Sequence, residues 1–160
     1  MLNFNEFINE DWNDLPISQR IAAGVAIIYD NKILLVHPTG ASWQKGTCGI
    51  PKGKLEVGED LMEGAIRELF EETGILITPD QLDPEPNRVD FYRGNKTNGQ
   101  LIYFVCNIQE LSEIGLESER LSKSQLQLEE VDWAKFVSAN DAYPITSRSQ
   151  LIIIDRHLNK

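Results

Sequence analysis

Two near-continuous apolar runs lie back to back near the start of the chain, RIAAGVAIIY at residues 20–29 and KILLVH at residues 32–37, parted only by Asp30 and Asn31. Runs rich in Val, Ile and Tyr on either side of a tight polar pair read as a β-hairpin. Their lack of polar alternation marks strands covered on both faces rather than one. Strands of that kind need other elements above and below them. Further along, segments 75–78, 88–93, 100–108 and a short run around 131–136 read as strands, the second and third joined by the turn GNKTNG. Residues 59–73 and 144–158 read as helices, the last with Ile152, Ile153, Ile154 and Leu158 toward the core. Strands and helices mix without regular βαβ alternation, so the expected class is α+β, or a mixed sheet sandwiched between helices.

The 160 residues make one domain and bury a core without staples. Residues 1–19 stand apart as an N-terminal extension to a domain spanning 20–160. Phe4, Phe7, Ile8 and Trp12 recur there at helical spacing, as an amphipathic helix packed on the body or an arm that docks a partner. The extension lacks a basic start followed by an apolar core, so no secretory signal is read. No apolar run reaches the roughly 20 residues of a membrane span. Two cysteines, Cys48 and Cys106, support neither a disulfide framework nor a cysteine-based zinc site, and a cytoplasmic, reducing context is expected. A net charge of −10 argues against stable binding of duplex nucleic acid. It leaves room for a small phosphorylated ligand held by local cations or metal ions. A homodimer stays open.

The helix at 60–73 carries more acid than helix physics favours. Leu61, Met62, Ala65, Ile66, Leu69 and Phe70 share one broad arc, the expected buried face. Glu68, Glu71 and Glu72 fill the adjacent arc at i, i+3 and i+4, where like charges are true neighbours and repel. They also sit toward the C-terminal end, where the helix dipole disfavours anions. Arg67 can compensate by pairing with Glu63 or Glu71. Three clustered carboxylates, with Glu56 and Glu59 nearby, also suit a hard divalent cation such as Mg²⁺. The preceding stretch, residues 38–58, holds Pro38, Gly40, Gly46, Gly49, Pro51, Gly53 and Gly58, a density of breakers typical of a functional loop.

Loop and helix together give Gly53, Glu59, Arg67, Glu68, Leu69, Glu71, Glu72, Gly74 and Ile75 in the pattern G-x5-E-x7-R-E-U-x-E-E-x-G-U, with U a bulky aliphatic. This resembles the Nudix box, complete over residues 53–75, and the flanking order of elements is compatible with the Nudix fold over 20–158. The resemblance implies an α/β/α sandwich with a loop–helix–loop box, and hydrolysis of a phosphoanhydride in a nucleoside diphosphate derivative with Mg²⁺ or Mn²⁺. It implies Glu71 and Glu72 as metal ligands, and Glu68 as a metal ligand or the base toward water. Arg67 would orient a catalytic glutamate, Glu59 would tie the loop to the helix, and a backbone carbonyl near Lys52 would complete the coordination. Many members place a further glutamate on a later loop, where Glu129 and Glu130 stand here, and Glu130 is taken as the catalytic candidate. Divalent ions would also explain how an acidic chain binds an acidic substrate, since they invert the local field.

Substrate contacts are expected from Arg20, Lys52, Tyr92 and Tyr103. Tyr103 and Trp43 could each stack a base or fill the core. His37 is read as structural and His157 as solvent-facing. GIPKGK at 49–54 is similar to the entry to the box in dinucleoside polyphosphate hydrolases, diphosphoinositol polyphosphate phosphohydrolases and RNA 5′-pyrophosphohydrolases, with Cys48 where a tryptophan is usual. ADP-ribose hydrolases tend to carry a proline where Phe91 stands, and dinucleoside polyphosphate hydrolases a tyrosine where Tyr92 stands. The ranking is a dinucleoside polyphosphate such as diadenosine tetraphosphate, then 5′-capped or triphosphorylated RNA, then ADP-ribose or other nucleotide sugars. A non-catalytic nucleotide-binding module is the alternative from another class. RNA needs a basic groove, and Arg93 and Lys96 at the GNKTNG turn supply little positive charge.

Overall fold

The computed structural model describes residues 15, 16 and 19–160. The helix expected from Phe4, Phe7, Ile8 and Trp12 lies outside the described residues.

The hairpin forms as read. Strand β1 (Ile21–Tyr29) turns into β2 (Lys32–Pro38) through Asp30 and Asn31, both at positive φ (49° and 55°). That is the backbone of a two-residue hairpin turn whose twist matches its strands. The pairing holds only near the turn, at Ile28↔Ile33 and Tyr29↔Lys32. Beyond it the strands part. The N-terminal half of β1 pairs with a short strand β3 (Lys52–Lys54), while β2 pairs along its length with β6 (Val131–Val137). Residues 48–51 fill the gap: Val36 and Gly49 exchange two backbone hydrogen bonds (2.8 and 3.2 Å), and the Val25 N–H donates to the Pro51 carbonyl at 3.2 Å. The splayed hairpin thus draws the glycine-rich loop into the middle of the sheet. Gly24 makes room for it, since a Cβ there would lie 2.6 Å from the Pro51 oxygen.

On the other side of β1, β5 (Lys96–Ile108) runs parallel, and β4 (Asn87–Arg93) completes a mixed six-stranded sheet in the order β4-β5-β1-β2-β6 with β3 on β1. Successive β1 residues feed two cores: Ala23, Val25 and Ile27 pack with Ala65 and Leu69 of helix α1 (Leu61–Thr73), whereas Ala22 and Ala26 pack with residues of α2 (Ala139–Ala142) and α3 (Leu151–His157). This is the α/β/α sandwich, built on the period-2 alternation of strand side chains.

Several local expectations need correction. Residues 75–78 form no strand. Ile75 and Ile77 are buried and Leu76 is exposed, so the alternation is real, but the Ile75 N–H is satisfied by the Thr73 hydroxyl (3.2 Å) rather than by a ladder. The turn of the second hairpin is only Gly94 and Asn95, Arg93 facing Lys96. Strand β3 and helix α2 are additions; three residues between glycine-rich flanks carry no usable period. The final helix starts at Leu151 rather than 144, because segment 145–147 bonds to Thr47 and Cys48 instead of continuing a helix. Ile153, Ile154 and Leu158 are buried but Ile152 is exposed, because three consecutive helical residues sweep about 200° and cannot share one face. The acidic stretch 109–130 is anchored in the first core by Ile114, Leu116, Leu121 and Leu126. No helix among the described residues is long and apolar enough to cross a membrane.

Candidate active site

Helix α1 is bounded as its sequence dictates. The Asp60 carboxylate accepts from the Met62 and Glu63 N–H groups, and Gly74 closes the C-terminus at φ 73°, its N–H donating to the Phe70 carbonyl. The buried face is rotated from the apolar arc, however. Glu68 and Glu72 are buried along with Ala65 and Leu69, while Phe70 is 50% exposed. Glu68 and Glu72 turn inward because β3, with Lys52 and Gly53, lies against them, while Glu71 stays exposed. Gly53 permits this approach: a Cβ at that position would sit 2.1 Å from the Glu68 carboxyl carbon and force that side chain to shift.

Arg67 is the hub. Its guanidinium takes Glu59 through two bonds (Nε to Oε2 2.7 Å, Nη2 to Oε1 2.9 Å) and donates through Nη1 to Glu68 (2.8 Å) and Glu71 (3.0 Å). A further bond runs from Nη2 to the Lys54 carbonyl (3.1 Å). Glu59, not Glu63, is therefore its principal partner, and Glu59 also accepts the Glu56 N–H at 3.0 Å, tying loop to helix. Burial pushes the Glu59 carboxyl upward, but the bonds from Arg67 and the Glu56 N–H outweigh it and hold it below the ordinary range. The same exchange runs the other way in Arg67: burial disfavours its charge, and Glu59 and Glu68 more than restore it.

Glu72 is in a different state. Burial pushes its carboxyl up to about 8, against the opposing pull of Lys52, with Glu68 and Glu130 adding like charge. It accepts a hydrogen bond from the Lys52 backbone N–H at 3.0 Å. A buried carboxylate short of positive charge is costly, and a divalent ion is the partner that Glu68, Glu71 and Glu72 would fit, with the backbone beside Lys52 in reach of Glu72. Among the described residues no three acidic, imidazole or thiol groups already stand in a ligating arrangement. Two of the candidate carboxylates are instead turned onto Arg67, the cation at hand.

Glu72 opens into a cavity of about 230 Å³ lined with Val36, Gly49, Ile50, Lys52, Glu130 and Gln150, among others. This joins three sequence candidates, Lys52, Glu72 and Glu130, and favours Glu130 over Glu129. Gln150 went unread in the sequence. It is buried, its side-chain oxygen accepts the Ile50 N–H at 2.8 Å, and it reaches the cavity from a hundred residues away, with no local signal to reveal it.

The remaining candidates lie elsewhere. Tyr103 is fully buried in the second core, its hydroxyl 2.9 Å from His157 Nε2, so neither ring face is open to a base, and His157 is half-buried against it. Arg20 donates to the Leu15 carbonyl (3.0 Å) and the Asn98 side chain (2.9 Å). Tyr92 is exposed at the sheet edge, with the Arg148 guanidinium over its ring. Trp43 is 48% exposed and stacks on His37 at 3.8 Å, so it fills no core. His37 is buried, its Nδ1 2.7 Å from Asp132, while its Nε2 is buried without a hydrogen-bond partner. Cys48 and Cys106 are buried free thiols, and burial raises Cys48 to about 12.

Comparisons with known proteins agree with this layout. Nudix hydrolase 2 of Arabidopsis thaliana is 28% identical over 124 residues, 76% of this chain and 42% of that protein. The methanol dehydrogenase activator of Bacillus methanolicus is 48% identical over 52 residues, 32% of this chain and 28% of its own length. The chain spans half or less of the curated relatives it matches. Among solved structures, the Ap4A hydrolase of C. elegans in a binary complex superposes with a TM-score of 0.59 at 21% identity, covering 85% of this chain and 93% of that one. The MutT protein of Methanosarcina mazei Go1 gives 0.59 at 22% identity over 89% and 95%. At such identities the likeness is one of fold. The NUDIX domain model matches residues 18–153, nearly the whole described chain, and on that match the protein belongs to the NUDIX family.

Proposed function

We propose that this chain is a pyrophosphohydrolase that cleaves a phosphoanhydride in a nucleoside diphosphate derivative, a dinucleoside polyphosphate such as diadenosine tetraphosphate being the first candidate. The observation that carries the reading is the Arg67 hub, which gathers Glu59, Glu68 and Glu71 beside a cavity holding Glu72, Lys52 and Glu130. Glu68, Glu71 and Glu72 would hold Mg²⁺ or Mn²⁺. Such an ion, when bound, neutralises phosphate charge and lowers the pKa of water.

The chain's own groups supply the rest. Arg67 fixes the Glu68 and Glu71 carboxylates in position, with Glu59 bracing it from behind. Glu130, exposed at the cavity rim, is placed to accept a proton from an attacking water. Lys52 contributes positive charge on the same wall, suited to a phosphate oxygen. The Ap4A hydrolase named above supports the substrate choice through fold, and Tyr92 supports it through its place after the box.

The test is a panel of diadenosine polyphosphates, ADP-ribose, nucleoside triphosphates and 5′-triphosphorylated RNA with Mg²⁺ or Mn²⁺, scored by product mass for the wild type and Glu71→Gln. The expected result is preferred cleavage of the dinucleoside polyphosphate and a fall of about 10²–10³-fold in turnover in the variant. Equal turnover in both proteins refutes the role of Glu71.

A further inference from the structure

The edge of the sheet at β4 gathers positive charge that the linear sequence scatters. Arg88 and Tyr92 on β4, Arg148 and Ser149 just before α3, and Arg156 on α3 line one depression of about 260 Å³. In a chain with 25 acidic against 15 basic residues, three guanidiniums at one concavity are a strong local reversal. None of the three forms an ion pair with a carboxylate among the described residues. Arg156 donates to the Arg88 carbonyl at 3.0 Å and to the Tyr103 hydroxyl at 3.4 Å. Arg148 reaches only the Gly94 carbonyl at 3.5 Å and the face of Tyr92. Asp90 also lines the depression, leaving a formal charge of +2. Ser149 adds a hydroxyl: its oxygen accepts the Tyr92 N–H at 3.3 Å, which leaves its own proton free to donate outward.

Like charges held together with only Asp90 to offset them repel, and a cluster of this kind is stabilised by an anion. Guanidinium forks match the oxygens of a phosphate, and a dianion balances the +2. We propose that this depression is an anion site that takes a phosphate monoester, of the size of the phosphate and sugar of a nucleoside monophosphate. The site is separate from the Glu72 cavity but close to it: Ser149 and Gln150 are neighbours in sequence, one facing each.

The test is a titration of the full, chelator-treated chain with AMP and, separately, with inorganic phosphate, following the arginine Nε–H and Tyr92 resonances by NMR. Saturable shifts at Arg88, Arg148 and Arg156, weakened at least tenfold in the double variant Arg88→Gln/Arg148→Gln, support the proposal. Similar affinity for the two ligands assigns recognition to phosphate alone, and tighter AMP binding adds a nucleoside contact at Tyr92; both support the site. Absence of saturable shifts in the wild type, or undiminished shifts in the variant, overturns it. Arg148→Gln alone serves if the double variant fails to fold, since Arg148 holds only one long hydrogen bond. Glu71→Gln is expected to keep AMP binding at this site unchanged, so loss of hydrolysis and loss of this site are told apart.

Discussion

Replacing Gly53 with alanine tests how the site is built. The new methyl carbon would stand 2.1 Å from the Glu68 carboxyl carbon and 2.1 and 2.4 Å from its oxygens. Contact needs about 3.4 Å or more, so Glu68 must move by more than an ångström, and Arg67, bonded to it at 2.8 Å, must follow. Overpacking of this kind costs about 1–3 kcal/mol. Reduced freedom of the unfolded chain returns about 0.4–1 kcal/mol. The net loss is roughly 0–2.5 kcal/mol, or up to about 10 °C in Tm for a domain of this size. A displacement of 1 Å in a positioned group costs about 100-fold in rate, so activity should fall far more than stability. Gly58→Ala is the control: Gly58 has φ 75° and a Cβ there would meet nothing within 4 Å, so alanine costs about 1–2 kcal/mol of backbone strain without touching Glu68. Thermal melts and phosphoanhydride hydrolysis on both variants decide the matter. Turnover of Gly53→Ala within threefold of wild type, or equal loss in the two variants, refutes the reasoning.

Other consequences can be checked alongside. Glu130→Gln should lower turnover at least tenfold while Glu129→Gln leaves it unchanged, measured at saturating substrate; the reverse order would move the rim glutamate by one residue. Glu59 is held below its ordinary range in the folded chain, so its share of stability is present above the unfolded value of about 4.3 and is lost as pH falls through the folded one. The Tm of Glu59→Gln should therefore fall less steeply than wild type below about pH 5, and parallel profiles would contradict the pairing. Gln150→Leu leaves the buried Ile50 N–H without its acceptor, an expected loss of about 1–3 kcal/mol by denaturant titration; a neutral result would mean that another group takes its place.

Much of this protein was legible in local order. Asp30–Asn31 between two apolar runs specified the first hairpin, because a two-residue turn acts on its immediate neighbours. Asp60 and Gly74 specified the ends of α1, because caps work through bonds a few residues apart. The spacing of Arg67, Glu68, Glu71 and Glu72 marked the candidate site because one helix displays all four. What the sequence could not determine depended on contacts between distant segments. The 75–78 alternation looked like a strand, and only the lack of a pairing partner denied it one. The wheel placed Phe70 inside and Glu68 outside; the packing of β3 against α1 reversed both while Glu71 stayed exposed, as no hydrophobicity pattern records a neighbouring backbone. Gln150 came to the cavity, and Arg88, Arg148 and Arg156 came to one depression, across separations that leave no mark on the intervening residues. Tertiary structure decided these positions because burial and charge energies depend on distance in space, which the order of residues fixes only within one element.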